Sequence, residues 1–176
     1  MKLAIISDTH MPRGNRAIPA ACLERMRAAD AILHAGDLVA LEVLELLRSL
    51  GPPVHAVRGN VDDPELAMKL PAVAVVEAEG ARILMTHDGG PGPGRLTRLR
   101  RRFPDVDAVV FGHSHIPLHE EQNGFHIFNP VGIRKIINGT AQQGEQQKHD
   151  HRKKQCYLNS DRHQVSFRIY PIPTWV

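Results

Sequence analysis

The chain has 176 residues, 42% of them apolar and 23% charged, and a formal net charge of +3. That size and balance suit one globular domain whose core needs no staples. They exclude a membrane span, because no apolar run approaches the roughly 20 residues it requires, and a disulfide framework or structural zinc site, because Cys22 and Cys156 have no paired ligand spacing.

Lys2–Ser7 is a nearly continuous apolar run that predicts a buried strand, with Asp8-Thr9-His10 at its carboxyl end. Pro19–Ala29 predicts a helix with Leu23 and Met26 on one face. Ala31–Ala35 predicts a second buried strand, ending at Gly36-Asp37. Leu38–Leu50 predicts a helix, its leucines at 38, 41, 44 and 47 on one side and Gly51-Pro52-Pro53 stopping it. Val54–Arg58 is the third expected strand, ending at Gly59-Asn60, and this alternation predicts a parallel α/β arrangement for the first third.

Ala72–Glu77 and Arg82–Thr86 flank Ala78–Ala81 and predict an antiparallel hairpin. Thr86-His87-Asp88 opens the stretch Gly89–Gly94, which a basic helix from about Arg95 to Phe103 follows. Val106–Phe111 predicts another buried strand, ending at Gly112-His113-Ser114-His115. Gln122-Asn123-Gly124 reads as a hairpin turn into Phe125–Phe128 and Asn129-Pro130. The expected fold is α/β with mixed pairing, parallel in its first half and hairpin-built in its second. Residues 1–139 form the expected domain core. The Gln-, Lys- and His-rich composition over 140–164 predicts an irregular, mobile segment. Within 165–176, Val165–Ile172 is expected as a terminal edge strand, confined there by Pro171 and Pro173.

Five expected strand ends carry metal-ligand residue types: Asp8 with His10, Asp37, Asn60, His87, and His113 with His115. Side chains at the carboxyl ends of strands converge in α/β sheets even when far apart in the chain. Two carboxylates, one amide oxygen and four imidazoles suit Mn, Fe, Zn or similar divalent ions better than Ca or Mg. Seven ligands exceed the usual need of one ion, and a carboxylate such as Asp37 can bridge two.

The motifs Asp8-Thr-His10, Gly36-Asp37, Val57-Arg58-Gly59-Asn60-Val61-Asp62, Thr86-His87 and Gly112-His113-Ser114-His115 resemble, in order and separation over about Met1–Pro130, those of the calcineurin-like metallophosphoesterase superfamily, closest to its small bacterial and archaeal phosphodiesterase branch. The resemblance implies a four-layer αββα sandwich and two divalent transition-metal ions, Mn first, with Ni, Fe or Zn as alternatives. It places Asp8, His10 and His115 on the first metal, Asn60, His87 and His113 on the second, and Asp37 between them. Asp37, Asn60 and His87 stand as catalytic as well as ligand residues. The implied reaction is hydrolysis of a small phosphate ester, most of all a diester, by hydroxide activated between two metals. Arg58 and Arg134 are candidates to meet the phosphate oxygens, against the alternative of solvated surface arginines.

Three departures from the family stand out. Val61 follows Asn60 where many members have a His that protonates the leaving group. The fifth motif reads His87-Asp88-Gly89 instead of His-Gly-His, and Val131-Gly132 follows Asn129-Pro130 where Gly-Ser is usual. The alternatives to an enzyme of this kind are a catalytically inactive scaffold of the same fold and a nuclease. All seven ligand positions are filled, which argues against the scaffold.

Arg95, Arg98, Arg100, Arg101 and Arg102 form a basic face, read as solvated or as a phosphate or nucleic-acid contact. Of the net charge, +2 falls in 140–164 (five Lys/Arg against three Asp/Glu). The near-neutral remainder and the few stacking aromatics disfavour nucleic acid as a partner. His34 and His55 are expected to be structural, and His119, His126, His149, His151 and His163 to lie on the surface or tail. Cys22 is expected to pack in a helix. The first strand begins at Lys2, which leaves no room for a signal peptide, so a cytoplasmic protein without membrane contact is expected. A homo-oligomer is compatible with this reading.

Overall fold

Successive residues of the first strand, β1 (Leu3–Ile6), serve two different cores. Ala4 and Ile6 pack among helix residues such as Met26, Leu44 and Leu47, while Leu3 and Ile5 pack among Ile83, Met85 and Val110 from other strands. A run apolar at every position is what a strand covered on both faces needs. In this computed structural model, residues 1–130 are described, with the backbone of Lys154–Asp161 and Gln164–Pro171.

After β1 come α1 (Ala20–Arg27), β2 (Ala31–His34), α2 (Leu41–Arg48), β3 (Val54–Ala56) and α3 (Pro64–Lys69). The three strands form a parallel sheet in the order β1-β2-β3, with Leu3 opposite Ala31 and Ile32 opposite Val54. Next are β4 (Val73–Ala78), β5 (Ala81–Thr86), α4 (Arg95–Arg102), β6 (Ala108–Val110), β7 (Leu118–Gln122) and β8 (Phe125–Asn129). They make a mixed five-stranded sheet, β4-β5-β6-β8-β7, in which β5, β6 and β8 run parallel. Three apolar clusters separate helices from sheet one, sheet one from sheet two, and sheet two from α4. The layers are therefore α, β, β, α, the expected four-layer sandwich.

Both expected hairpins form. Glu79-Gly80 and Asn123-Gly124 each have two successive positive φ angles (49° and 87°, 52° and 77°), the backbone a two-residue turn needs to match strand twist. Four elements differ from expectation. The helix expected over Leu38–Leu50 begins only at Leu41. Leu38 O accepts from the Met11 amide, Val39 N donates to Asp62 Oδ1, and Val39 has φ 90°, so the loop beside β1 claims these residues. Helix α1 is likewise shorter than Pro19–Ala29, with Pro19 as its cap. Helix α3 was not expected; Pro64 opens it and a Lys69–Glu65 pair at 2.8 Å spans one turn.

The fourth difference lies in 140–164, where Lys154–Asp161 forms β9, paired antiparallel with β10 (Gln164–Pro171). The rest of 140–164, the boundary at 139 and Arg134 lie outside the described residues. Among the described residues, no helix is long and apolar enough to cross a membrane.

Candidate metal centre

The sheets deliver their carboxyl ends to one place. Asp8 and His10 follow β1, Asp37 follows β2, Asn60 follows β3, His87 follows β5, and His113 and His115 follow β6. Five of these seven residues hold left-handed backbone: Asp8 (φ 53°), His10 (50°), Asp37 (61°), His113 (64°) and His115 (53°). Asp and His tolerate that region better than most residues, yet each costs of order 1 kcal/mol. The chain thus turns sharply after β1, β2 and β6.

The motif glycines are explained by close approach. A Cβ at Gly36 would stand 2.6 Å from His87 Nδ1, one at Gly112 would stand 2.7 Å from Asp8 Oδ2, and one at Gly59 would overlap Asp37 Oδ1 and its amide nitrogen. Gly59→Ala should therefore displace Asp37. Bound-metal analysis on the purified variant is expected to show loss of metal; full metal content would show that the Asp37 loop yields without harm.

The donor atoms fall into two sets that meet at one oxygen. In the first, His10 Nε2 and His115 Nε2 are 3.3 Å apart, and Asp8 Oδ1 lies 3.3 Å from His115 Nε2 and 3.9 Å from His10 Nε2. In the second, Asn60 Oδ1 lies 3.0 Å from His87 Nε2 and 2.9 Å from His113 Nδ1. Asp37 Oδ2 lies 3.6 Å from His10 Nε2 and 3.3 Å from His87 Nε2, so it touches both. One ligand atom each from Asp8, His10, Asp37 and His115 lies within 4.8 Å of the other three, a spacing at which one cation can gather them.

Outer contacts orient these atoms. His87 Nδ1–H donates to Ala35 O at 2.8 Å, which leaves Nε2 as the ring atom facing Asp37 and Asn60. Asp37 Oδ1 accepts the Val61 amide at 3.1 Å, leaving Oδ2 for the junction. Asp8 accepts from Ser7 Oγ and from the His113 amide. Asp62 accepts from Val39 N at 2.8 Å and Gly59 N at 2.6 Å, pinning the loops on either side of Asp37. Asp8, His10, Asp37 and His87 are buried, whereas Asn60 and His113 are exposed, so the site opens to solvent on the second set.

Charge in the site is arranged around Asp37. Burial works to raise its pKa, but bonds from His87 and the Val61 amide outweigh it and hold the carboxyl below its ordinary range. Burial works to lower His87, and the bonds to Asp37 and to the Ala35 carbonyl outweigh it, so its pKa is raised. At His10 burial wins over Asp37 and Asp8 and the pKa is lowered. The junction thus favours positive charge while keeping His10 a neutral ligand. The donor set fits divalent transition-metal ions, which imidazole, carboxylate and amide oxygen bind together.

Residues 1–146 match the family model of the calcineurin-like phosphoesterase superfamily domain. The chain belongs to that superfamily. A probable metallophosphoesterase of Methanothermobacter thermautotrophicus is 33% identical over 132 residues, covering 74% of this chain and 76% of its own. The phosphodiesterase YfcE of Escherichia coli is 29% identical over 153 residues, covering 76% and 79%. The crystal structure of Chaetomium thermophilum Vps29 shares the fold at 19% identity, with a TM-score of 0.70 over 96% of this chain and 95% of that one.

The arginines of this phosphoesterase differ in their surroundings. Arg58 is exposed, and its backbone N–H bonds Pro71 O. The basic face of α4 is not a free surface at three positions. Arg95 donates to Gly90 O at 3.0 and 2.6 Å and lies 4.8 Å over the Phe111 ring; Arg98 donates to the carbonyls of Pro91 and Pro93; Arg100 donates to Val106 O at 3.1 Å over Phe125. Arg95 thereby ties the loop that follows His87 to the Phe111 ring, two residues before His113.

Three residues, Ser7, Thr9 and Asn129, escaped the sequence reading as supports of the site. Thr9 Oγ1 stands 3.2 Å from His34 Nε2 and donates to Asp37 O, and Asn129 Nδ2 donates to Gly112 O and Ser114 Oγ at 2.9 Å. His34 is fully buried, as a structural histidine should be; burial, then the neighbouring His87, lowers its pKa to about 3. Ser7 holds Asp8. Each stands inside or beside a quoted motif, and that adjacency was the available signal. His55 is exposed and Cys22 is buried in α1. His126 corrects the expectation of surface placement: it is buried on β8, because its strand position faces inward with Phe128.

Proposed function

We propose that this chain is a dinuclear metal-dependent phosphodiesterase acting on small phosphate esters. The observation that carries the reading is the position of Asp37 Oδ2, 3.6 Å from His10 Nε2 and 3.3 Å from His87 Nε2, at the junction of two donor sets. Asp8, His10 and His115 would hold one ion, Asn60, His87 and His113 the other, and Asp37 both. Divalent ions so held supply Lewis acidity to a phosphate and acidify water near neutral pH. The relative YfcE is itself named a phosphodiesterase.

The chain's own groups account for the remaining requirements. Asn60 contributes an oxygen without adding negative charge that would repel a phosphate. Its exposure, with that of His113, leaves the approach to the site open on that side. The four buried ligands Asp8, His10, Asp37 and His87 sit where little water reaches, which strengthens their electrostatic pull. Arg58 is retained as a candidate phosphate contact because its exposed side chain follows β3 two residues before Asn60.

Stripping the protein with a chelator and dialysing it against Mn, Ni, Fe, Zn or Mg tests the reading. Turnover of a generic phosphodiester and a phosphomonoester is expected to vanish in the stripped protein and return with two bound equivalents of a transition metal. Full turnover after complete stripping would overturn the proposal.

A further inference from the structure

A second group of metal-binding side chains lies on the hairpin β7–β8, outside the centre described above. His119 Nε2 and His126 Nδ1 stand 3.3 Å apart, with ring planes inclined by 18°. The register sets His119 opposite Phe128 and Glu121 opposite His126, so these four side chains share one face of the sheet. Phe128 belongs to the apolar cluster between the two sheets, which makes this the inner face at its β7 margin. Apolar side chains are the default there, and two imidazoles with abutting nitrogens are not.

We propose that His119 and His126 form a separate two-imidazole binding site for a transition-metal cation of the Ni²⁺ or Zn²⁺ kind. At a metal–nitrogen bond of about 2.1 Å, the 3.3 Å separation subtends about 104°, between the octahedral and tetrahedral angles. Imidazole pairs suit Zn, Cu, Ni and Fe. Burial, then the neighbouring His119, lowers the His126 pKa to about 4, so near neutral pH no proton has to leave that ring before a cation enters. Glu121 and Asp107 both favour positive charge at His126. The Asp107 carboxylate already accepts the Arg82 amide at 2.7 Å, and Glu121 Oε1 accepts the Gly124 amide at 2.8 Å, which anchors Glu121 on this hairpin. None of these residues belongs to the seven-residue centre, so the inference stands apart from the proposed catalysis.

The competing account is an N–H···N hydrogen bond between neutral imidazoles with no affinity for metal. Equilibrium dialysis of the stripped full chain against Ni²⁺ separates the two, with wild type, His119→Gln and His126→Gln compared side by side. Each variant is expected to bind one equivalent fewer than wild type. Equal stoichiometry in all three would overturn the site. The wild-type chain supplies a second readout that needs no variant. Imidazole ¹⁵N spectra during a Zn²⁺ titration should show His119 Nε2 and His126 Nδ1 shifting together, and no shift of either at saturation would overturn the proposal.

Discussion

Asp37→Asn is expected to remove one metal equivalent and to lower turnover by more than the roughly 100-fold upper range seen when groups merely supporting a metal ligand are lost. The substitution keeps an oxygen able to accept the Val61 amide, so the loop keeps its anchor. It removes the charge at Oδ2, which lies between His10 Nε2 and His87 Nε2. His10→Gln touches only the donor set of Asp8 and His115, and its turnover should fall less. Metal analysis and steady-state kinetics on both variants decide the matter. Two bound metals with near wild-type turnover in Asp37→Asn would refute the bridging role.

A steep dependence of rate on leaving-group pKa is the second large effect expected. Residue 61 is valine, whose backbone N–H serves Asp37 Oδ1 and whose side chain has no proton to donate. General acid assistance contributes about 10²–10⁴-fold, and esters with poor leaving groups should forgo that factor here. A series of aryl and alkyl phosphodiesters, compared where chemistry limits the rate, measures the slope. Val61→His should flatten it by speeding the poor leaving groups. A flat slope in wild type would mean that another residue supplies the proton.

Much of the site was legible because its chemistry is local in sequence. Asp8-Thr9-His10, Gly36-Asp37, Gly59-Asn60, His87 and His113-Ser114-His115 each end a short apolar run, and a strand end is recognisable without knowing its neighbours. The start of α2 was not legible. Leu38 keeps the helical spacing of Leu41, Leu44 and Leu47 and is fully buried, but its carbonyl bonds Met11, a residue distant in sequence. Strand β9 was missed because polar Lys, Gln, Asn and Ser give no alternation over 154–161. The basic face of α4 misled for another reason. Composition reports that a guanidinium is charged, and says nothing of the carbonyls of Gly90, Pro91, Pro93 and Val106 that hold it.

The sequence alone determined which ligand chemistry is present and in what order the strands deliver it. Ligand identity, glycine placement and apolar runs are properties of adjacent residues. Only the tertiary structure decided how the strands divide between two sheets, because a continuous apolar run looks the same whether helices or a second sheet cover it. It alone also decided which oxygen is shared. Asp37 Oδ2 comes to lie between His10 and His87 because Gly59 and Gly112 leave room for the carboxylates and the Val61 amide takes the other oxygen. Each of those conditions joins residues far apart in the chain, and no local pattern of residues encodes them.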